Sequence, residues 1–256
     1  MFMEIIKSII LGVIEGLTEF LPISSTGHLI LVNQWINFTE PFTKMFDIVI
    51  QLGAILAVVV YFWKRFWPIS NIWAKIIIGV IPALILGGLF GSQIEAKLFN
   101  PYVVAVALII GGIVLILIEK KHTKTRFESV NSFTWRTAFH IGLFQCLAMI
   151  PGTSRSAATI IGAMLLGASR SAAVEFSFFL AIPTMAAATG YSLLKHGGAI
   201  SNDEIIILAV GFIAAFATAL AVIKFFMSYI QRHDFKPFGY YRLALGAVVL
   251  LYFLMK

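Results

Sequence analysis

Apolar residues recur along the chain in stretches close to the roughly 20 residues a helix needs to cross a hydrocarbon layer. Six run without interruption: Met45–Trp63, Ile72–Gly91, Tyr102–Ile118, Ser171–Leu194, Glu204–Tyr229 and Leu243–Met255. Two more are broken in the middle. Ile5–Ile36 is interrupted by Leu21-Pro22-Ile23-Ser24-Ser25-Thr26-Gly27-His28, and Phe133–Ala168 by Pro151-Gly152-Thr153-Ser154-Arg155-Ser156. A proline or a Pro-Gly pair halts a helix, and each half is too short to cross alone. Irregular backbone at membrane depth persists only where protein buries it or where it lines a wet cavity. Both broken stretches are therefore expected to be re-entrant helical hairpins.

The order of elements repeats: broken hairpin, span, span, span, then the same again. Pro22-Ile23-Ser24-Ser25 aligns with Pro151-Gly152-Thr153-Ser154 at an offset of 129. A hairpin does not cross, so three crossings per half would invert the second half relative to the first. The expected fold is an all-α polytopic membrane protein, a single integral membrane domain over residues 1–256 with inverted repeats at about 1–118 and 133–256. Inverted repeats with discontinuous helices build sites where the repeats meet, near the midplane.

Charge placement orients this arrangement. Lys64, Arg65, Lys75, Lys120, Lys121, Lys124, Arg126, Arg136, Arg170, Arg232, Lys236 and Arg242 fall on one side; Lys7, Lys44, Lys97, Lys195 and Lys256 fall on the other. Twelve against five puts the first side in the cytoplasm, so the first hairpin dips in from outside. Composition agrees with a bilayer: 60% of residues are hydrophobic, 12% are charged and the mean hydropathy is +0.95. Too few charges remain to cover a soluble surface. The formal charge of +7 sits in short loops, the distribution of orientation signals rather than of a nucleic-acid footprint. No small-residue cleavage site follows the apolar N-terminus, so no cleaved signal is expected. Cys146 is the only cysteine, which rules out an internal disulfide. Trp35, Trp63, Trp67 and Trp73 fit an interfacial belt.

The chemistry is concentrated at the two breaks. Glu15 and Glu19, four apart, share a helix face beside Gly12 and Gly16, which suit close helix packing. Carboxylates at membrane depth are costly, and two on one face suit a divalent cation such as Mg²⁺ or Ca²⁺. Ser24, Ser25, Thr26 and His28 mark the first tip. Helix capping accounts for one or two hydroxyls there, and His28 near a hydroxyl suits a general base or acid. At the second tip Ser154-Arg155-Ser156 follows Pro151-Gly152 and opens a half-helix whose free N–H groups favour an anion. Arg155 adds a planar fork for phosphate oxygens, and Ser156 and Thr159 can share its face. The bland alternative for Arg155 is an ion pair with Glu15 or Glu19. Asp47 and Gln51 are left between a cavity mouth and a helix start, and Glu175 is expected to pair with Arg170.

The stretches Glu15 to His28 and Pro151 to Thr159, with Phe46–Val60, Phe144-Gln145-Cys146 and Glu175-Phe176-Ser177-Phe178, resemble the undecaprenyl-diphosphatase (bacitracin resistance protein) family. The resemblance runs from near Ile5 to the C-terminal span. It implies a metal-dependent hydrolase of the bacterial inner membrane, acting on a polyprenyl diphosphate lipid at the outer face. On that reading Glu15, Glu19, Ser25, His28 and Arg155 are catalytic, with Glu15 and Glu19 holding the metal. Ser24, Thr26, Gly152, Ser154, Arg155, Ser156 and Thr159 would bind substrate. Ser25 is the favoured nucleophile, with attack by water as the competitor. The rival class is an inverted-repeat transporter or flippase, and a homodimer stays open.

Overall fold

The computed structural model describes residues 1–36, 38, 42–66, 71–121, 125–196 and 201–255, with the side chains at positions 44, 95 and 192–196 excepted. Trp67, Lys124, Lys256 and the side chains of Lys44 and Lys195 therefore lie outside the described residues.

The described residues form eleven α-helices: α1 (Phe2–Thr18), α2 (Ser25–Ile36), α3 (Phe42–Tyr61), α4 (Trp63–Phe66), α5 (Asn71–Leu98), α6 (Pro101–Lys121), α7 (Trp135–Gln145), α8 (Arg155–Leu165), α9 (Arg170–His196), α10 (Asn202–Tyr229) and α11 (Lys236–Leu254). Among them α5, α6, α9, α10 and α11 contain stretches long and apolar enough to cross a membrane. The expected span Met45–Trp63 is shorter, because α3 ends at Tyr61 and the chain turns into α4; its apolar stretch is Met45–Tyr61.

Both expected breaks are present. The first separates α1 from α2. The second comprises a 3-10 turn at Cys146–Met149 and the segment leading to α8. Each break ends in a serine in the left-handed region, Ser24 at φ 70° and Ser154 at φ 71°, immediately before its half-helix. Each hydroxyl accepts a hydrogen bond from the N–H three residues on, Gly27 at 3.4 Å and Ala157 at 3.2 Å. This is the N-cap arrangement that relieves an orphan donor of the first turn. The two tips thus align Ser24 with Ser154, an offset of 130, one residue from the alignment by proline.

The helices pair in a swapped manner. The first arm of each broken stretch packs on the middle helix of the other half, α1 on α10 and α7 on α5, while α6 pairs with α11 and α3 packs on both α10 and α9. Glycines permit the close approach: a side chain at Gly12 or Gly16 would strike the α10 backbone at Gly211 or Ala215, and one at Gly142 would strike Gly79 of α5. Gly12 and Gly142 also stand 130 apart.

Two charge assignments are corrected. Arg170 pairs with the buried carboxylate of Glu119, with contacts down to 2.6 Å, and Glu175 pairs instead with Arg65 at 2.7 Å. Glu119 also accepts the Phe235 N–H at 2.9 Å, so it is already held where α6, α9 and the start of α11 meet. Arg242 is no loop cation: α11 begins six residues earlier, at Lys236, and buries Arg242 completely against α6. An arginine at the edge of an apolar run reads as a flank when the helix start is set about two turns too late.

Candidate active site

The two tips meet at a small polar pocket of about 130 Å³. Glu19, Ser24, Ser25 and Thr26 line it from the first tip; Pro151, Gly152, Ser154 and Arg155 line it from the second; and Gln51 of α3 joins them. A space of that size takes a phosphate group rather than a whole lipid, since ligand pockets that enclose a drug-sized molecule are several times larger.

Glu19 is the hub. Its Oε1 accepts from Arg155 Nη2 at 3.0 Å, and its Oε2 accepts from the Ser25 hydroxyl at 2.8 Å. Arg155 opens α8 and spreads its fork: Nη1 donates to the Ser177 carbonyl at 2.7 Å while Nη2 reaches Glu19. Thr159, one turn on, sets its hydroxyl 2.7 Å from the Ser177 hydroxyl and 2.9 Å from the Arg155 carbonyl. Ser156 donates to the Leu21 carbonyl at 2.8 Å, tying the second tip to the first, and lies 3.0 Å from the Ser154 hydroxyl. Ser156 and Thr159 therefore brace the tips from behind and do not line the pocket. The first-turn N–H groups of Arg155 and Ser156 have no carbonyl one turn back to receive them, which makes this end of α8 attractive to an anion.

Two residues expected to be catalytic, His28 and Glu15, sit differently. His28 does not meet Ser25: Nδ1 lies 2.8 Å from the Ser24 carbonyl, Nε2 lies 2.7 Å from the Tyr241 hydroxyl, and its ring stacks on that tyrosine. The group beside the Ser25 hydroxyl is Glu19. Glu15 is fully buried one turn before Glu19, outside the pocket lining, and neither oxygen has a hydrogen-bond partner. Its counterpart at the offset of 130 is Gln145, whose amide donates to Thr184 at 3.1 Å. Gln51 lines the pocket, whereas Asp47, one turn earlier, does not and leaves Oδ1 buried and unpartnered.

Neither Ser177 nor Arg242 is expected at the site from the sequence, where Ser177 enters only within a matching stretch and Arg242 only as a loop cation. Ser177 is one hydroxyl within an apolar helix, a common and weak signal, and only its place opposite Arg155 gives it meaning.

The pocket's acidic, amide and hydroxyl oxygens are hard donors of the kind Mg²⁺ and Ca²⁺ accept. Among the described residues no three His, Cys, Asp or Glu side chains converge to hold a metal. An ion here would need substrate oxygens to complete its shell, which is the usual manner of Mg²⁺ at phosphate sites. The orphaned carboxylate of Glu15 fits such an ion, because unpaired buried acceptors are otherwise costly.

The sequence model of the family described as bacitracin resistance protein BacA matches residues 8–248. Undecaprenyl-diphosphatase 1 of Clostridioides difficile (strain 630) is 50% identical over 267 residues, covering 99% of this chain and 97% of its own. The undecaprenyl-diphosphatase of Enterococcus faecalis is 49% identical, covering 98% and 97%. That of Thermoanaerobacter pseudethanolicus is 52% identical, covering 96% of each.

Proposed function

The chain belongs to the bacitracin resistance protein family, and we propose that it hydrolyses undecaprenyl diphosphate to undecaprenyl phosphate and inorganic phosphate. The names of its full-length relatives carry the substrate. Such a step returns the lipid carrier to peptidoglycan synthesis and confers tolerance of bacitracin. The site observation that carries the chemistry is the Glu19 carboxylate joined at once to Ser25 and Arg155.

In this reading Arg155 and the first-turn N–H groups of α8 receive the terminal phosphate and offset the charge that develops in transfer. Ser25 attacks the terminal phosphorus as its proton passes to Glu19 Oε2, and the P–O–P bond breaks to release the lipid monophosphate, whose departing oxygen takes that proton and leaves Glu19 ionised again. Water then cleaves the phosphoserine, with Glu19 accepting its proton, and inorganic phosphate departs. Glu15 and Glu19 would hold a divalent cation, which supplies Lewis-acid neutralisation of phosphate oxygens when bound. Ser177 and Thr159 act one step back, fixing the fork of Arg155.

The membrane arrangement proposed is an inverted repeat of two re-entrant hairpins in the bacterial inner membrane, with the site open to the outer face. The swapped helix pairing and the recurring offset of 130 support it. Removing Arg242 from the twelve cations assigned to the cytoplasmic side leaves eleven against five, so the charge bias still favours that orientation.

The deciding experiment is phosphate release from undecaprenyl diphosphate by detergent-purified protein, with and without EDTA. Release that EDTA abolishes and Mg²⁺ or Ca²⁺ restores is the expected result. A protein that binds or moves the lipid without releasing phosphate would belong to the transporter class.

A further inference from the structure

We infer that Arg242 is a positioning residue, a single guanidinium that holds the nucleophile-bearing tip and the phosphate-holding tip in register. The inference rests on the phosphatase reading above. Arg242 heads the fully buried side chains in size. Its Nη1 donates to the Pro22 carbonyl at 3.3 Å, and Nη2 donates to the Gly152 carbonyl at 3.1 Å. Nη2 also reaches the Ala107 carbonyl at 3.1 Å, and Nε reaches the Leu108 carbonyl at 3.3 Å.

Pro22 and Gly152 each precede a left-handed serine by two residues, so the arginine bridges equivalent carbonyls of the two tips. The other two bonds anchor it to α6. Every acceptor is a neutral carbonyl, and among the described residues no carboxylate pairs with it. A buried charge without a counter-charge is costly, and an apolar side chain would fill the same volume at lower cost. The planar fork is what an apolar residue, or a lysine, cannot reproduce: several fixed donors spread over separate elements. α6 leaves room for it, since a methyl group at Gly111 would overlap the guanidinium.

Arg242 does not line the polar pocket, so it acts through the tips. Glu19 and Ser25 ride on the first tip, and Ser154 and Arg155 on the second. If the clamp loosens, the second tip still holds the phosphate while Ser25 loses its line of attack. The expected signature is a fall in kcat with little change in KM.

Phosphate release from undecaprenyl diphosphate would be measured for the wild type, Arg242→Lys, Gly111→Ala and the double variant, with thermal unfolding of each in detergent. Arg242→Lys and Gly111→Ala should each lower kcat at least tenfold with KM within threefold. The double variant should be no more than twofold slower than the slower single one, because the glycine serves only to make room for the guanidinium. Should Arg242→Lys fail to fold, Gly111→Ala carries the same test with the arginine in place. Retained kcat in Gly111→Ala, a rise in KM at constant kcat, or losses that multiply in the double variant would each overturn the role. Absence of release by the wild type would overturn the phosphatase reading itself, and is thereby distinguishable.

Discussion

Arg155 and Glu19, 136 positions apart in the chain, meet with Nη2 of the guanidinium 3.0 Å from Oε1 of the carboxylate. The pair is nearly buried, with side chains 11% and 7% exposed. On the sequence alone such a pair stood as the structural alternative to phosphate binding. The geometry joins the two roles, because only one arm of the fork serves Glu19; the other is fixed by Ser177, and both residues line the polar pocket.

Arg155→Lys tests the fork. Lysine retains the charge but cannot hold the Ser177 carbonyl and the Glu19 carboxylate at fixed angles. The expected loss is about 2–4 kcal/mol of transition-state stabilisation, by analogy with removal of an oxyanion donor. The measurement is kcat/KM beside the melting temperature in detergent. A stable, fully active lysine variant would return Arg155 to a structural role.

Glu15→Gln separates fold from chemistry in another way. The second tip already carries Gln145 at the offset of 130, and the substitution replaces a buried carboxyl that has no hydrogen-bond partner. The variant should melt no lower than the wild type yet turn over at least about a hundredfold more slowly, the scale of a lost catalytic electrostatic contact. Titration with Mg²⁺ should fail to restore it. Recovery of full activity at saturating Mg²⁺ would remove Glu15 from the proposed metal site.

Ser25→Ala and His28→Ala should differ sharply. Ser25→Ala should abolish turnover while the lipid still binds. His28→Ala should stay within about tenfold of wild type, since the ring faces Ser24 and Tyr241 rather than the Ser25 hydroxyl. Phosphate release settles both, and activity of Ser25→Ala within tenfold of wild type would favour direct attack by water.

Gly142→Ala probes the packing without touching the pocket. The added methyl would meet the Gly79 carbonyl of α5, so α7 must shift. Overpacking of this kind costs about 1–3 kcal/mol. Thermal unfolding should show a lowered midpoint, and an unchanged one would mean that α5 and α7 separate freely.

Cysteines placed at Lys121 and Arg232 should resist an impermeant thiol reagent added to intact cells, while one at Lys97 should react. All three positions are exposed in the structure. The reverse pattern would invert the proposed orientation.

What the sequence made legible follows from which signals are local. Apolar length announced α5, α6, α9, α10 and α11, and Pro22 and Pro151-Gly152 announced the breaks, because a proline acts on its own helix. Glu15, Glu19, Ser25 and Arg155 stood out because polar groups are rare at such depth. Partner choice was not local. Nothing near Ser25 favours Glu19 over His28; the decision lies in how the chain from Glu19 to Ser24 folds back. Likewise Arg242 acquires its partners from Pro22, Ala107, Leu108 and Gly152, four positions that no single window contains.

The recurring offset of 130 sets unlike residues at like places of the two tips. At corresponding places the halves hold Glu15 and Gln145, Ser25 and Arg155. Two identical copies of the first half would present two acids and no guanidinium to the shared pocket; two copies of the second would present the reverse. The bond between Glu19 and Arg155 makes the two tips complementary in a way that neither could be to itself.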